Sequence, residues 1–118
     1  MSDLKMTKID IISSGEKFND LKNELKTIGI EGMTVSNILG CGNQKNKMEK
    51  YRGVTYEVAL IPQVKVEIVV CEVPVESVLQ VANRVLKTGE TGDGKVFIYP
   101  IEDALRVRTG ERGYKAIL

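Results

Sequence analysis

The chemically densest stretch of the chain is TGETGDGK at residues 88–95, where three glycines, an aspartate and a lysine stand between an apolar helical pattern and an apolar strand pattern. Gly89, Gly94 and Lys95 match the glycine and lysine positions of the phosphate-binding pattern G-x4-G-K-[ST]. In that pattern the loop runs from a strand into a helix, so that the helix N-terminus faces the phosphates and the hydroxyl reaches magnesium. Here Val96 holds the hydroxyl position and the order is helix, loop, strand. These differences argue against a nucleotide-hydrolysing loop. What remains is a glycine turn whose free backbone N–H groups can form an anion nest, with Asp93 and Lys95 at its exit. The plainer reading is a helix C-cap followed by a solvated lysine. Downstream, Arg106 and Arg108 are spaced two apart; on a strand they share one face, where two planar forks can neutralise a polyphosphate.

Other chemistry is limited by what the chain lacks. It has no histidine, so the usual base near neutral pH is missing and neither a Ser/His nor a Cys/His pair can be drawn. Cys41 and Cys71 are far apart in sequence and form no C-x-x-C pair, which disfavours a zinc site or a disulfide scaffold. They read as small hydrophobes near strands. No two carboxylates stand in a catalytic spacing, so a binder or sensor is expected, with no catalytic residues and no metal site.

With 118 residues, 42% of them hydrophobic, the chain fits one domain over residues 1–118 with a small core. Seventeen basic against sixteen acidic residues leave a net charge of +1, so any basic site is local and no global field draws nucleic acid. No apolar run is long enough to span a bilayer and no secretory signal opens the chain, so a cytoplasmic protein is expected.

The elements that must position these residues follow from periodicity. Residues 8–13 are rich in β-branched side chains and read as a strand; Ser13 and Glu16 read as a capping box, and Phe18, Leu21, Leu25 and Ile28 recur at helical spacing until Gly29. Residues 34–42 form a strand, and in 64–70 Val64, Val66, Ile68 and Val70 alternate with Lys65 and Glu67. After Pro74, the positions Val75, Val78, Leu79, Ala82, Val85 and Leu86 give a second helix ending near Thr88. Strands at 96–99 and, more briefly, 105–108 follow. Two βαβ units joined antiparallel predict an α+β fold, a ferredoxin-like βαββαβ sandwich with both helices on one face of the sheet. Valine and isoleucine on both faces of 64–70 then predict a homo-oligomer covering the other face. Between the middle strands, residues 42–56 are polar and glycine-punctuated, longer than a hairpin of this fold needs, with Lys45, Lys47, Lys50, Arg52, Tyr51 and Tyr56 as contact groups. A partner-docking or modification loop is expected there.

Taken together, YRGVTYEV at 51–58, TGETGDGKVF at 88–97 and RVRTGERG at 106–113 closely resemble the PII signal-transduction family, and IGIEGMTVS at 28–36 and PQVKVEIVV at 62–70 match as well. The resemblance covers nearly the whole chain from about Thr7 onward. It implies a homotrimer that binds ATP or ADP between neighbouring subunits, often with 2-oxoglutarate, and reports energy state to transporters and enzymes. By that resemblance Gly92, Asp93, Gly94 and Lys95 of the 88–95 loop hold the phosphates, with Gly42, Asn43 and Gln44 at the base of a docking loop spanning about 42–60. Arg106 and Arg108 reach across from the neighbour, and Gly32, Met33, Thr34, Glu67 and Val69 surround the adenine and ribose. Gln44 also helps to orient magnesium and 2-oxoglutarate, and Tyr56 is the position uridylylated in some relatives.

Three departures from the family pattern bear on ligand choice. Gln63 stands where a lysine pairs with a carboxylate of 2-oxoglutarate, Ser14 and Gly15 replace a basic-Pro pair, and Asn43 stands where arginine is common. Losing the charged partner of a buried anion costs about 2–5 kcal/mol. The expectation is a sensor of adenine nucleotides with weak or absent 2-oxoglutarate binding, magnesium accompanying ATP. The partner is an ammonium channel, another nitrogen-linked transporter or a metabolic enzyme, which would bring the protein to the inner face of the membrane. The alternative is an ordinary carbon/nitrogen sensor that binds ATP and 2-oxoglutarate and controls an ammonium transporter. RNA binding on the sheet requires an aromatic signature that neither Phe18 nor Phe97 provides. Slow ATP hydrolysis lacks a placed base.

Overall fold

A computed structural model describes residues 4–41, 49–51, 54–56, 60–90 and 92–118. Alternation in β1 (Met6–Ser13) and β5 (Ile61–Val70) turns Ile9 and Ile11 of the first and Val66, Ile68 and Val70 of the second to one side of the sheet. There they meet Leu21 and Leu25 of α1 (Phe18–Thr27) and Val78, Val81, Ala82 and Leu86 of α2 (Val75–Leu86). Each large aliphatic side chain so buried contributes about 1.5–3 kcal/mol relative to exposure. The two helices also meet at their surface, where Arg84 pairs with Glu24 at 3.3 Å.

β2 (Thr34–Gly40) and β6 (Lys95–Ile101) complete a four-stranded sheet of order β2-β5-β1-β6, with every neighbouring pair antiparallel. β1 and β2 are therefore parallel with β5 inserted between them, and β5 and β6 are parallel with β1 between them. This is the α+β, ferredoxin-like arrangement expected from the order of elements. Within the 42–60 segment, β3 (Glu49–Tyr51) and β4 (Val54–Tyr56) pair as a separate two-stranded ladder. The expected sites Gly42, Asn43 and Gln44 lie outside the described residues.

Three local expectations are corrected. The capping box does not form: Ser13 is the last, buried residue of β1, and α1 starts only at Phe18 with Lys17 at its N-cap and no side-chain cap. A turn intervenes, closed by Phe18 N–H donating to Gly15 O at 3.2 Å. Residues 105–108 do not form a strand, because the chain reverses within them; Gly110 N–H donates to Arg106 O at 2.8 Å, and a single bridge pairs Leu105 with Arg112. Finally, β5 is not apolar on both faces. Its open side carries Gln63, Lys65, Glu67 and Val69, so the apolar part of that face comes from Val69 together with Ile12 of β1, Ile38 of β2, and Phe97 and Tyr99 of β6.

Candidate functional site

The loop after α2 is organised by its own aspartate. Asp93 folds back so that Oδ2 accepts the N–H groups of Thr88 at 2.8 Å and Gly89 at 2.9 Å, while Oδ1 accepts the Thr88 hydroxyl. The Thr88 hydroxyl first, and the backbone donors after it, hold the Asp93 carboxyl below the usual carboxylate range. The expected nest of free N–H groups is thus partly filled: Asp93 caps the loop from within instead of standing at its exit. Gly94 fixes the other end. Its φ is +118°, and a Cβ there would lie 2.2 Å from Ile12 O, so the backbone runs against the end of β1 as only glycine allows. Lys95 follows, exposed, opposite Ile12.

A cleft of about 340 Å³ opens beside this loop, lined by Ser13, Ser14, Lys17, Gln63, Gly92 and Asp93 among others. Lys17 is a site residue that sequence reasoning missed; its positive charge also helps to depress Asp93, but a single lysine before a helix carries no distinguishing pattern. Ser14 and Gly15 were visible as departures from a family pattern. Gly15 takes φ +89°, which the fixed φ of proline near −65° cannot reach, so the turn itself differs from one built on a basic-Pro pair. Gln63 does not point freely into the cleft. Its Oε1 lies 2.2 Å from where a Cβ on Gly40 would be, so its amide folds over the bare backbone of β2.

The remaining expected residues sit toward the other end of the sheet. Gly32 and Val69 line a cleft of about 360 Å³ together with Ile117 and Leu118. Thr34 opens β2 directly opposite Glu67. Glu67 belongs to an ion cluster on the open face: Lys8 lies 2.8 Å and Lys65 3.7 Å from its carboxylate, and Lys8 also stands 5.4 Å from the centre of the Tyr99 ring. The hydrogen bond from Lys8, chiefly, lowers the pKa of Glu67, and the same contact raises that of Lys8. Met33 differs from its neighbours, since its side chain packs, partly buried, against the core on the helix side and does not line the Gly32 cleft. Tyr56 ends β4 opposite Glu49. Arg106 and Arg108 stand in the turn before the final 3-10 helix (Gly113–Ala116), not on a common strand face.

The structure therefore sorts the expected residues into two groups. Gly92, Asp93, Gly94 and Lys95, with Gln63, lie at one end of β5; Gly32, Thr34 and Val69, with the C-terminal residues that Arg106 contacts, lie at the other. The six residue steps from Gln63 to Val69 span about 20 Å of strand. One end offers lysines and glycine backbone suited to phosphate oxygens, and the other offers an apolar wall with polar edges suited to a base and sugar.

This arrangement has relatives. A profile of the family described as Nitrogen regulatory protein P-II matches residues 6–111. The Nitrogen regulatory PII-like protein of Bacillus subtilis (strain 168) is 47% identical over 113 residues, covering 96% of this chain and 97% of that protein. Among solved structures, the complex of Bacillus subtilis GlnK with ATP superposes with a TM-score of 0.79 at 40% identity, covering 98% of this chain and 99% of the other. Arabidopsis thaliana PII bound to citrate gives a TM-score of 0.75 at 39% identity, covering 97% and 94%. A match along nearly the full length in sequence and in fold means that the chain belongs to the nitrogen regulatory P-II family, a family of signalling regulators and not of enzymes.

Proposed function

We propose that this protein is an adenine-nucleotide sensor, a homotrimer that holds ATP or ADP in the clefts between neighbouring copies. The observation that carries this reading is the separation of the two half-sites. A phosphate-suited loop and a base-suited cleft at opposite ends of one strand cannot close on the same nucleotide within one chain; the loop of one copy must face the cleft and the arginine turn of the next. In this reading Gly92, Asp93, Gly94 and Lys95, with Gly42, Asn43 and Gln44, take the phosphates and any accompanying magnesium. Gly32, Met33, Thr34, Glu67 and Val69 take the base and sugar, and Arg106 and Arg108 arrive from the neighbour. The ATP complex of a GlnK so similar in fold supports it.

The readout is the segment 42–60. ATP and ADP bias it only by their differential affinity for its conformations, and a nitrogen-linked transporter at the inner face of the membrane, or a metabolic enzyme, distinguishes those conformations. Tyr56 within it is a modification candidate. 2-Oxoglutarate binding is weak or absent, because Gln63 offers no charge and its amide is already laid across Gly40. The citrate complex of the Arabidopsis relative favours the second reading, a carbon/nitrogen sensor that also takes a polycarboxylate.

Calorimetric titration with ATP and ADP, then with 2-oxoglutarate in the presence of Mg-ATP, separates the two. Tight nucleotide binding with no 2-oxoglutarate heat is expected. Saturable micromolar 2-oxoglutarate binding selects the second reading, and no nucleotide binding rejects both.

A further inference from the structure

Arg106, read above as a ligand for a neighbour's phosphates, is already engaged within its own chain. Its Nε–H donates to Ala116 O at 3.2 Å, an Nη2 hydrogen goes to Leu118 O, and Nη1 stands 3.7 Å from the Glu111 carboxylate. All three guanidinium nitrogens are involved. The edge formed by Nε and Nη2 is one that a guanidinium presents to an oxyanion as a two-pronged fork, and here it faces the Ala116 carbonyl and a Leu118 main-chain oxygen. The opposite side is turned to Glu111, which is itself held by the Thr109 hydroxyl at 2.9 Å. No phosphate can take the Nε/Nη2 fork while those two oxygens remain. Arg108, two residues on, is exposed and has no ion-pair partner among the described residues.

The segment that occupies Arg106 also reaches the base-suited cleft, where Ile117 and Leu118 form part of the wall beside Gly32 and Val69. Its own anchorage is slight. Ile117 N–H donates to Tyr114 O at 3.2 Å, and no residue of the preceding 3-10 helix is buried. One short stretch thus touches both the arginine and the cleft of the same half-site, and little else holds it.

Resting on the nucleotide reading above, we propose that residues 116–118 are an intramolecular competitor for Arg106: the phosphates of a bound nucleotide take the guanidinium fork from Ala116 O and Leu118 O, and the segment is released from the cleft. The direction of exchange follows from charge: a nucleotide's phosphates bring several negative charges to the fork, where the Ala116 carbonyl brings none, and two parallel bonds from guanidinium to phosphate oxygens are the stronger, bidentate arrangement. The displaced contacts are subtracted from nucleotide affinity, and by linkage nucleotide binding loosens the segment to the same degree. The molecule then carries a second nucleotide-dependent change, at the edge of the subunit and separate from the 42–60 segment.

Amide hydrogen exchange at Ile117 in the full chain, with and without saturating ATP, tests this, with occupancy measured by calorimetry on the same sample. Exchange is expected to speed up several-fold with ATP. A double variant, Ile117→Gly with Leu118→Gly, keeps the main-chain oxygens but loosens the backbone; its residue 117 amide should exchange fast in both conditions, and it should bind ATP about threefold to tenfold more tightly. An ATP complex in which Ile117 exchange is unchanged or slower overturns the competition, as does unchanged or weaker ATP binding by the glycine variant. Absence of ATP binding by the parent protein overturns the nucleotide reading itself, and this proposal with it.

Discussion

At the scale of single residues, the phosphate-suited loop depends on groups that leave no room for substitution. Gly94 combines a left-handed backbone with a contact to Ile12 O that a methyl group would violate, and the obstacle is backbone, which cannot swing aside. Gly94→Ala is therefore expected to destabilise the protein by about 1–3 kcal/mol, read as a lowered midpoint in urea, and to shift Lys95 relative to the loop. A midpoint within error of the parent would mean that the β6 start is free to move and that the loop is not held against β1. Gln63 shows the same logic in reverse, since its amide rests on Gly40 because that residue has no side chain.

At the scale of elements, two connectors are each tied by one carboxylate. Asp93 caps the 88–95 loop, and Asp103 closes the turn that carries the arginines. Asp103 Oδ2 accepts Arg112 Nε–H at 2.9 Å, and Oδ1 accepts the N–H groups of Ala104 at 2.8 Å and Gly113 at 3.0 Å. Arg112, chiefly, holds the Asp103 carboxyl below its ordinary value, as the Thr88 hydroxyl does for Asp93. A depressed folded-state pKa sets the sign: both ties contribute fully above the unfolded carboxylate value near 3.9 and are lost as pH falls through the lower folded values. The amides of Thr88, Gly89, Ala104 and Gly113 are expected to keep their NMR shifts from neutral pH down to about 4 and to change only below it. Movement of these shifts between pH 5 and 7 would show that the carboxylates are not capping. These connectors were also where periodicity misled. Arg106-Val107-Arg108 has the two-residue period of a strand, but the Asp103–Arg112 tie that folds it into a turn joins side chains nine positions apart. Helices and strands with a buried apolar side, such as α2 and β5, were legible to within a few residues because burial imposes a period.

At the scale of the whole molecule, the open face of the sheet carries Phe97 at 44% exposure, Tyr99 at 43% and Val69 at 40% around the ion cluster of Lys8, Asp10, Lys65 and Glu67. Asp10 is already 3% exposed in the single chain, between lysines at 3.5 and 3.8 Å. An apolar rim around a paired polar centre suits a second copy of the chain. Phe97→Asp is expected to convert the trimer to monomers, read by light scattering, with the far-UV circular dichroism retained. A trimer that survives this change would remove the Phe97 side of the sheet from the interface.

The sequence by itself determined the fold class, the order of the principal elements and the family, because apolar period, turn glycines and several motifs at fixed separations are local properties of the chain. It also singled out Gln63, Ser14, Gly15 and Asn43 as positions where the chain departs from a familiar pattern. Only the tertiary structure decided that Asp93 fills part of its own loop, that Lys17 stands beside it, that Met33 turns into the core, and that Arg106 is held by residues 116–118. Each of these depends on which groups the packed sheet and helices bring within hydrogen-bond reach, and no periodicity in the chain encodes that distance.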